Sequence, residues 1–315
     1  MHKRAIIFGI KKYSLTTKEK ILFKKAKPWG IILFSRNIKS FMQLKKLVAD
    51  IRSFFQDRKY PILIDQEGGR VSRLNKIINL NFFPQDFFGK FYSKDIRNFF
   101  EYYKNYNNTV CSLLKNIGIN VNTIPVLDVR RKKSHNIIGN RSFSNNPKII
   151  SALAKISIKH YERNKIATVI KHIPGIGLSK CDSHLKTPLI NATKKDLIRK
   201  DFKPFKNSKS LFAMTGHAIY LSYDKYNTAT HSKIIINQII RKHMKFKGLL
   251  ISDDISMKAL KYKLTENALR SLQAGCNLVL HCNGKIKEMS QLIKIIPKID
   301  KFTQKKTSQF YKFLG

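Results

Sequence analysis

Short apolar runs recur along the chain and alternate with segments of helical periodicity. The runs cover residues 5–10, 30–34, 61–64, 121–129, 168–170, 211–214, 248–251 and 277–280. After Ser40, a suitable N-cap, the apolar residues Leu44, Leu47 and Ile51 recur at the spacing of an amphipathic helix. Residues 149–156 repeat this pattern after an Asn-Pro pair. The chain therefore predicts eight strands that alternate with helices.

A chain of 315 residues with 43% apolar content can bury a substantial core. Eight strands separated by helices in a chain of this length favour a closed parallel (β/α)8 barrel of the α/β class over an open doubly wound sheet. The sequence contains no linker rich in Pro, Gly or Ser and no repeat of solenoid period. We therefore expect one domain that spans residues 1–315.

Ionisable side chains follow several of the apolar runs at their carboxyl ends. These residues are Asp65, Asp128, Lys171, His172, His217 and Asp253. In a parallel barrel the carboxyl ends of all strands meet at one opening, here called the mouth, where the active sites of such folds lie. The convergence of groups so far apart in sequence predicts an active site at the mouth.

The segment 171–188, KHIPGIGLSKCDSHLKTP, concentrates candidate chemistry in one loop. Gly175 and Gly177 provide hinges, and Asp182 precedes His184 by two positions. An aspartate at this spacing can hydrogen-bond one ring nitrogen of the histidine and raise the basicity of the other, which suits proton transfer near neutral pH. A solvated histidine on a turn is the alternative interpretation, and the Asp-His pair favours the catalytic one.

Two carboxylates end the apolar run at 248–251. Asp253, the nearer to the strand, is a candidate nucleophile, although the residue pattern fits a structural role equally well. Asp254 is interpreted mainly as the N-cap of a following helix, since aspartate is common directly before helices.

Arginines follow two other runs. In ILIDQEGGRVSRL, residues 62–74, the Gly68-Gly69 pair predicts a tight turn that returns Arg70 and Arg73 towards the mouth, although solvated arginines would give the same pattern. The segment lacks the Lys-Ser/Thr signature of a phosphate loop. Arg141 lies in the loop after residue 129 and so joins the same end of the barrel.

The formal net charge is +43, from 62 Lys and Arg residues against 19 Asp and Glu residues. Such a charge would favour nucleic acid or an anionic surface as a partner. The lysines are scattered along the chain, however, and no basic block is interleaved with aromatic residues. We therefore interpret the charge mainly as solvated faces, which can also attract an acidic substrate.

The four cysteines, Cys111, Cys181, Cys276 and Cys282, form neither a CxxC pair nor a metal-like group with histidine, so reduced thiols are expected. The apolar run at 5–10 is too short for a secretory signal, and no stretch approaches the length of a membrane span. These features predict a cytoplasmic protein.

Eight motifs cover about residues 30–283 in unbroken order: IILFSRN, IDQEGGRVSRL, PVLDV, GNRSF, KHIPGIG with DSH, MTGHAIY, ISDDISM and AGCNLVLHCN. This ordered set resembles glycoside hydrolase family 3, and within it the bacterial β-N-acetylglucosaminidases (β-hexosaminidases) of cell-wall recycling. The resemblance implies a retaining enzyme that removes non-reducing terminal N-acetylglucosamine from peptidoglycan fragments, the anhydro-muropeptides, with no metal or organic cofactor.

By this resemblance Asp253 is the nucleophile, His184 the general acid/base, and Asp182 the residue that orients and tunes the histidine. The sugar-binding residues that it implies are Asp65, Arg73, Arg141, Lys171 and His172. A retaining glycosidase ordinarily uses two carboxylates about 5 to 5.5 Å apart. Here a histidine replaces the second carboxylate, as in this subfamily.

Two alternatives stay open. One is another enzyme of the same family, a β-glucosidase or a β-glycoside phosphorylase with the same nucleophile and histidine. The other is a catalytically silent barrel that binds sugar or nucleic acid.

Ile173 and Ile176 depart from the family's KHFPGHG, so that aliphatic side chains replace an aromatic residue and a histidine. We expect activity to survive with altered closure of the loop. The expected partner is a small saccharide, with no obligate nucleic acid, no membrane insertion and a monomeric state.

Overall fold

Eight parallel strands close into a barrel in the computed structural model, which describes residues 3–132, 134–183 and 185–315. The barrel strands are β1 (Arg4–Gly9), β2 (Pro28–Leu33), β3 (Ile62–Ile64), β4 (Val121–Asn122), β5 (Ala167–Ile173), β7 (Phe212–Thr215), β9 (Leu249–Asp254) and β10 (Leu278–His281). Two short strands, β6 (Leu189–Ile190) and β8 (Ile219–Tyr220), pair with each other outside the barrel. Each barrel strand pairs with the next along the chain, and β10 closes the ring on β1. The predicted (β/α)8 architecture is confirmed.

Helices connect most of the strands. The α-helices are α1 (Thr17–Ala26), α2 (Phe41–Phe55), α3 (Gln85–Lys94), α4 (Ile96–Ile117), α5 (Pro147–Arg163), α6 (Lys194–Arg199), α7 (Leu264–Ala274), α8 (Ile286–Ile295) and α9 (Lys301–Phe313). Short 3-10 segments lie at Ser35–Asn37, Gly139–Arg141, Lys203–Phe205 and Ala229–His231, and a π-helical segment lies at Ile235–His243. None of the described helices combines the length and the apolar composition needed to cross a membrane.

Both helices predicted from periodicity are present, with the expected caps. The Ser40 side chain accepts a hydrogen bond from the backbone N–H of Gln43 at the start of α2. Asn146 does the same for Lys148 at the start of α5, where Pro147 occupies the first turn. These caps satisfy backbone donors that have no partner within the helix.

The core follows from strands that are covered on both faces. Every residue of β2 and of β5 is buried, which explains why these strands appear in the sequence as continuous apolar runs. At the amino-terminal end of β2, the indole of Trp29 is fully buried and donates a hydrogen bond of 2.9 Å to Thr307 of α9. The last helix is thereby packed against the barrel.

The run 121–129 was expected to be one strand, and this expectation is wrong beyond Asn122. Pro125 supplies no N–H group for a strand ladder, and β4 ends before it. The chain returns to the barrel wall at Val126, which bridges to Lys171, and Leu127 donates its N–H to the Lys171 carbonyl at 2.7 Å. This detour brings Asp128 alongside the end of β5.

Candidate active site

The mouth of the barrel contains a chain of alternating charges built from strand β5 and two loops, those that follow β3 and β4. Arg73 contacts Asp65 at 3.1 Å, and Asp65 contacts Lys171 at 3.2 Å. Lys171 continues to Glu67 at 2.7 Å, and Glu67 accepts two hydrogen bonds of 2.8 Å from the Arg141 guanidinium. We refer to these five residues as the ion-pair chain.

Because the ion-pair chain is buried, the pairing of its charges affects the stability of the fold as well as the binding properties of the mouth. Lys171 is 3% exposed and Glu67 5% exposed. A buried charge is tolerated only when it is paired and hydrogen-bonded, since desolvation of an unpaired charge is strongly unfavourable. The alternation of sign along the chain provides each buried charge with a partner.

The ion pairs also determine the protonation states of the residues in the ion-pair chain. Burial alone would raise the pKa of Asp65, but the charges of Lys171 and Arg73 hold it well below its usual value. Glu67 is likewise buried, and Arg141 and Lys171 lower its pKa to about 2. Burial disfavours the Arg141 cation, yet Glu67 raises its pKa above the ordinary value. The carboxylates and the guanidinium therefore stay charged at neutral pH.

Two members of this network were missed by sequence reasoning. Glu67 links Lys171 to Arg141, and Thr123 hydrogen-bonds both Asp65 and Lys171, the latter at 2.9 Å. The only sequence signal for Glu67 was its place in the DQEGG motif, two residues after Asp65. Thr123 directly follows β4, and its unremarkable residue type gave no signal.

Arg70 supports the mouth indirectly. Its guanidinium donates hydrogen bonds of 2.5 Å to the carbonyls of Asn136 and Ile137, in the loop that carries Arg141. Gly68 and Gly69, both with positive φ, form the predicted turn that brings the arginine to this position. Arg70 thus helps to hold one loop of the site against another.

Asp128 organises the end of β5 and the start of the following loop. One of its carboxylate oxygens accepts from the His172 backbone N–H at 3.1 Å and from the His172 ring Nδ1 at 2.7 Å. The other oxygen accepts from the Ile176 N–H at 2.7 Å. A single fully buried carboxylate therefore fixes a candidate sugar-binding side chain and the loop beyond it.

These contacts also select the tautomer of His172. Nδ1 donates to Asp128, while Nε2 lies 3.5 Å from Nη2 of Arg141. Because a guanidinium only donates, the Arg141 contact requires Nε2 to act as an acceptor. His172 thus presents a hydrogen-bond acceptor towards the Arg141 side of the mouth.

Asp253 lies at the end of β9 and is only partly buried. Within the described part of the chain, its carboxylate makes one hydrogen bond, from the Asp254 N–H to Oδ1 at 2.8 Å. The Cys282 thiol lies close by. Burial raises the Cys282 pKa, and the Asp254, Asp65 and Asp253 carboxylates raise it further. Because Asp253 lies at the carboxyl end of β9 in a closed parallel barrel, it lies at the same end of the barrel as the ion-pair chain.

The expectation that Asp254 caps a helix is wrong. Strand β9 includes Asp254, and the next helix, α7, begins ten residues later at Leu264 after Lys263. The Asp254 carboxylate instead accepts from the Ser256 N–H at 3.1 Å, the Ser256 hydroxyl at 2.8 Å and the Cys282 N–H at 3.3 Å. The side chain stabilises a turn, because aspartate readily bonds backbone N–H groups a few residues ahead.

His217 holds the backbone beside the candidate nucleophile. Its Nε2 donates to the Asp254 carbonyl at 3.0 Å, so Nδ1 accepts from the Thr230 hydroxyl at 2.7 Å. Burial lowers the pKa of His217, although Asp253 and Asp254 oppose the effect. His217 is thus a neutral support for the end of β9, a role that its position after a strand suggested only in general terms.

The loop that follows β5 packs closely on its surroundings. The Tyr220 hydroxyl donates to the Gly175 carbonyl at 2.7 Å. A Cβ at Gly177 would lie 1.9 Å from the Val129 carbonyl oxygen, so only glycine permits this approach. The two unusual residues of the loop, Ile173 and Ile176, are buried in an apolar cluster.

The predicted Asp-His pair is only partly described. Asp182 is half-buried and Ser183 is buried, whereas His184 lies outside the described residues. The predicted sugar-binding residues, by contrast, all belong to one connected network: Asp65, Arg73, Arg141, Lys171 and His172. The mouth thus combines fixed charged groups with a partly exposed carboxylate.

Asp201 is a buried carboxylate beneath the same loop. A Cβ at Gly175 would lie 2.7 Å from the Asp201 carbonyl oxygen, so the two segments are in contact. Neither carboxylate oxygen of Asp201 has a hydrogen-bond partner among the described residues, and Arg131 lies 3.8 Å away. Burial raises the pKa of Asp201 to about 7, despite the opposing charge of Arg131.

The chemistry of the mouth does not point to a metal. Across residues 3–132, 134–183 and 185–315, no group of three or more His, Cys, Asp or Glu side chains is arranged to hold a metal ion. Each acidic group of the ion-pair chain is matched by a cation instead. The arrangement is suited to hydrogen-bonding a polyhydroxylated molecule beside Asp253.

Comparison with known proteins gives a consistent result. The N-terminal domain of glycosyl hydrolase family 3 matches residues 9–309. A β-hexosaminidase of Psychromonas ingrahamii is 31% identical over 315 residues, 98% of this chain and 89% of that protein. A β-hexosaminidase of Neisseria meningitidis is 33% identical over 285 residues, 88% of this chain and 78% of that protein.

Solved structures extend the similarity to the fold. The crystal structure of NagZ from Neisseria gonorrhoeae in complex with N-trifluoroacetyl-D-glucosamine aligns with a TM-score of 0.87 at 28% identity. The alignment covers 100% of this chain and 90% of that one. A family 3 β-N-acetylglucosaminidase from Paenibacillus aligns with the same TM-score at 22% identity, over 98% of this chain and 60% of that one, which supports the fold alone.

Replacement of Asp128 by asparagine tests its positioning role. The amide group would turn a donor towards either the Ile176 N–H or the His172 N–H groups, and an unsatisfied buried donor costs about 1–3 kcal/mol. The amide oxygen can still accept from both His172 N–H groups, which leaves the NH2 group facing the Ile176 N–H, so we expect Asp128→Asn to lower kcat/KM about 10- to 100-fold with the fold retained. Steady-state kinetics and thermal unfolding measure the two properties.

The matched control is Asp86→Asn, which alters another buried carboxylate, paired with Arg130 away from His172. It should affect stability while kcat/KM stays close to that of the wild type. Unchanged turnover in Asp128→Asn would contradict the role assigned to Asp128.

Asp201→Asn tests the buried carboxylate through the pH dependence of stability. The pKa of Asp201 in the folded protein, about 7, exceeds the ordinary aspartate value, so folding binds a proton between about pH 4 and pH 7. The contribution of that proton to the free energy of unfolding is fully present below pH 4 and is lost as the pH rises through 7. The Asp201→Asn variant has no titratable group at this position, so its free energy of unfolding does not fall for this reason.

Its free energy of unfolding, relative to that of the wild type, should therefore rise by about 4 kcal/mol between pH 4 and pH 8. Urea unfolding across that range measures the difference. Parallel stability profiles for the two proteins would show that Asp201 is ionised in the folded state throughout.

Proposed function

Because the chain belongs to glycosyl hydrolase family 3, we propose that it is a retaining β-N-acetylglucosaminidase that releases non-reducing terminal N-acetylglucosamine from peptidoglycan fragments. Hexosaminidase activity is the activity for which its relatives are named. The observation that carries the proposal for this chain is Asp253, a partly exposed carboxylate at the end of β9, beside a rigid network of sugar-binding character.

Asp253 suits the role of nucleophile better than its neighbour does. The Asp254 carboxylate accepts three hydrogen bonds, two from Ser256 in its own turn and one from the Cys282 N–H, whereas Oδ2 of Asp253 has no partner among the described residues. In the first step an Asp253 oxygen bonds to the anomeric carbon from below the ring. The bond from that carbon to the leaving oxygen breaks, and this oxygen takes a proton from His184.

In the second step, water attacks the anomeric carbon and gives a proton to His184. The bond to Asp253 breaks and restores the carboxylate, and two inversions leave the β configuration unchanged. His184 acts as acid and then as base, with Asp182 as the residue that orients it. Support for these two roles comes from the DSH motif and its glycine-hinged loop, since His184 lies outside the described residues.

The ion-pair chain would bind the sugar from one side. Arg73 and Arg141 offer donors to hydroxyl or carbonyl oxygens, and Asp65 offers an acceptor. Lys171 already directs its three ammonium hydrogens at Asp65, Glu67 and Thr123, so it would bind the sugar by exchanging one of these contacts for a sugar oxygen. His172 adds an acceptor through Nε2. Because all these groups are held by one another, they cost little reorganisation when the sugar ring distorts towards the oxocarbenium-like transition state.

The substrate assignment is supported by likeness to proteins of known ligand. The solved NagZ of Neisseria gonorrhoeae was crystallised with an N-acylated glucosamine, and this chain aligns over its full length with that structure. Peptidoglycan fragments are the natural source of such a terminal sugar in bacteria. We further propose that residues 1–315 form a single catalytic domain that acts in the cytoplasm, where its four unpaired thiols would stay reduced.

A comparison of chromogenic sugars tests the substrate class. The purified protein should release p-nitrophenol from the β-N-acetylglucosaminide with a kcat/KM at least about 100-fold above that for the β-glucoside, because a site that recognises the acetamido group leaves its polar groups unpaired with glucose. Addition of inorganic phosphate should not change the product from free sugar to sugar phosphate. A preference for the glucoside, or a phosphate-dependent product, would favour the other enzymes of the family.

Asp253→Ala tests the nucleophile. Without this carboxylate no covalent intermediate forms, so turnover of the chromogenic N-acetylglucosaminide should fall at least about 10³-fold while the thermal unfolding profile stays close to that of the wild type. The matched control, Asp254→Asn, alters the adjacent turn and should retain a far larger share of activity. Wild-type turnover in Asp253→Ala would exclude this residue as the nucleophile.

A further inference from the structure

A long groove runs along the side of the barrel, away from the ion-pair chain. It has a volume of about 760 Å³ and lies between α5 and the segment 203–209. Its floor is apolar and includes Leu127, Ala154, Ile158 and Pro204. The lysines that line it are Lys155, Lys159, Lys203, Lys206 and Lys209, all of them exposed.

The groove continues onto the amino-terminal end of the barrel. A hollow of about 270 Å³ shares Lys209 with the groove and adds Lys245, Lys247 and Lys306. A third hollow, of about 550 Å³, shares Lys247 and Lys306 and extends to Arg241 and Lys305. We call these three connected hollows the basal groove.

The positive charge of the basal groove is not compensated. Within the described residues, none of its lysines forms an ion pair, whereas every charged residue of the ion-pair chain does. Two acidic residues line the groove. They are Glu162 and Asp300, against ten lysine and arginine side chains, and the Asp300 side chain is engaged in capping α9.

The cations of the groove repel one another. Burial lowers the pKa of Lys306, and the charges of Lys305, Arg241 and Lys247 lower it further. Like charges gathered in concave surfaces create a strong local potential that attracts anions. The lysines are scattered in sequence, which is why the sequence favoured a merely solvated surface, but the fold collects them from α5, residues 203–209, residues 245–247 and α9.

The shape and composition of the groove favour one class of polyanion. Stable anchoring to a lipid surface combines cations with protruding apolar side chains, and Phe302 is the only exposed large apolar residue among those that line the three hollows. An acidic protein would be expected to meet aromatic and arginine anchors, while here lysines predominate. Lysines act as point charges on phosphates, and a succession of them suits a phosphate backbone.

We propose that the basal groove binds the phosphate backbone of single-stranded nucleic acid, without sequence preference, while the mouth of the barrel stays open to its own substrate. Sequence preference is not expected because the lysines contact phosphates, which are the same in every sequence. This binding is independent of the hydrolase activity and is not required for it.

Fluorescence anisotropy with a labelled oligouridylate, measured over a range of salt concentrations, tests the proposal. The variant Lys155→Gln/Lys159→Gln/Lys206→Gln/Lys209→Gln removes four cations from the groove. A single-stranded phosphate contact contributes about 0.7 to the slope of log affinity against log salt, so the slope should fall by about 3 and affinity should drop at least about 10-fold.

The matched control carries Lys20→Gln, Lys45→Gln, Lys195→Gln and Lys225→Gln. These lysines are exposed, line none of the three hollows and form no ion pair within the described residues. The control has the same net charge as the groove variant, so it should retain a slope close to that of the wild type. Equal losses in the two variants would show that diffuse charge, not the groove, attracts the RNA.

Two further measurements complete the test. Saturating oligouridylate should leave hydrolysis of the chromogenic N-acetylglucosaminide unchanged, and competition with this substrate would mean that RNA occupies the mouth. Anionic phosphatidylserine vesicles and polyglutamate should bind more weakly than the RNA at equal salt. Tighter, groove-dependent binding of either would overturn the proposal in favour of a membrane or an acidic protein.

Discussion

The mouth of the barrel depends on Lys171, which lies buried between the carboxylates of Asp65 and Glu67. The lysine comes from a strand, while the two carboxylates come from the loop after a different strand. Removal of one member of such a buried pair leaves an uncompensated charge and typically costs about 3–5 kcal/mol. The pairing therefore obliges the ends of β3 and β5 to stay together, and Arg73 and Arg141 extend the same constraint to two further segments.

A second set of contacts positions backbone segments around the mouth, whereas the ion pairs position charged side chains. Asp128 holds the His172 ring and the Ile176 N–H, and His217 holds the Asp254 carbonyl beside the candidate nucleophile. Tyr220 anchors Gly175 in the loop that leads to Asp182. The result is a rigid rim on which strands present binding groups, with one loop, built around glycines, left to carry the proposed proton donor. The barrel thus separates sugar binding from proton transfer.

Much of the fold could be predicted from the sequence because strands buried on both faces appear as apolar runs. The eight barrel strands, the caps Ser40 and Asn146, and the polar residues at strand ends all followed from such local patterns. The run at 121–129 misled the prediction, since its composition is apolar although Pro125 cannot extend a ladder. Asp254 misled it in another way, because an aspartate before a turn and one before a helix look alike in sequence.

The contacts between distant segments could not be predicted in this way. The link from Glu67 to Arg141 joins segments 74 positions apart, and the bond from Asp128 to His172 depends on the detour of the chain after β4. The collection of scattered lysines into the basal groove likewise exists only once α5 and α9 are in place. The periodicity of apolar residues predicts which face of a helix or strand is buried. Which other segment packs against that face is determined only once the barrel has closed.

The most direct test of the account is to trap and locate the covalent intermediate. A fluorinated N-acetylglucosaminyl fluoride, with a good leaving group and a slow second step, should inactivate the protein and add the mass of one sugar. Peptide mapping should find that sugar on Asp253. A label on Asp254 or on another residue would contradict the assigned nucleophile, and rapid turnover with inversion at the anomeric carbon would contradict the two-step mechanism itself.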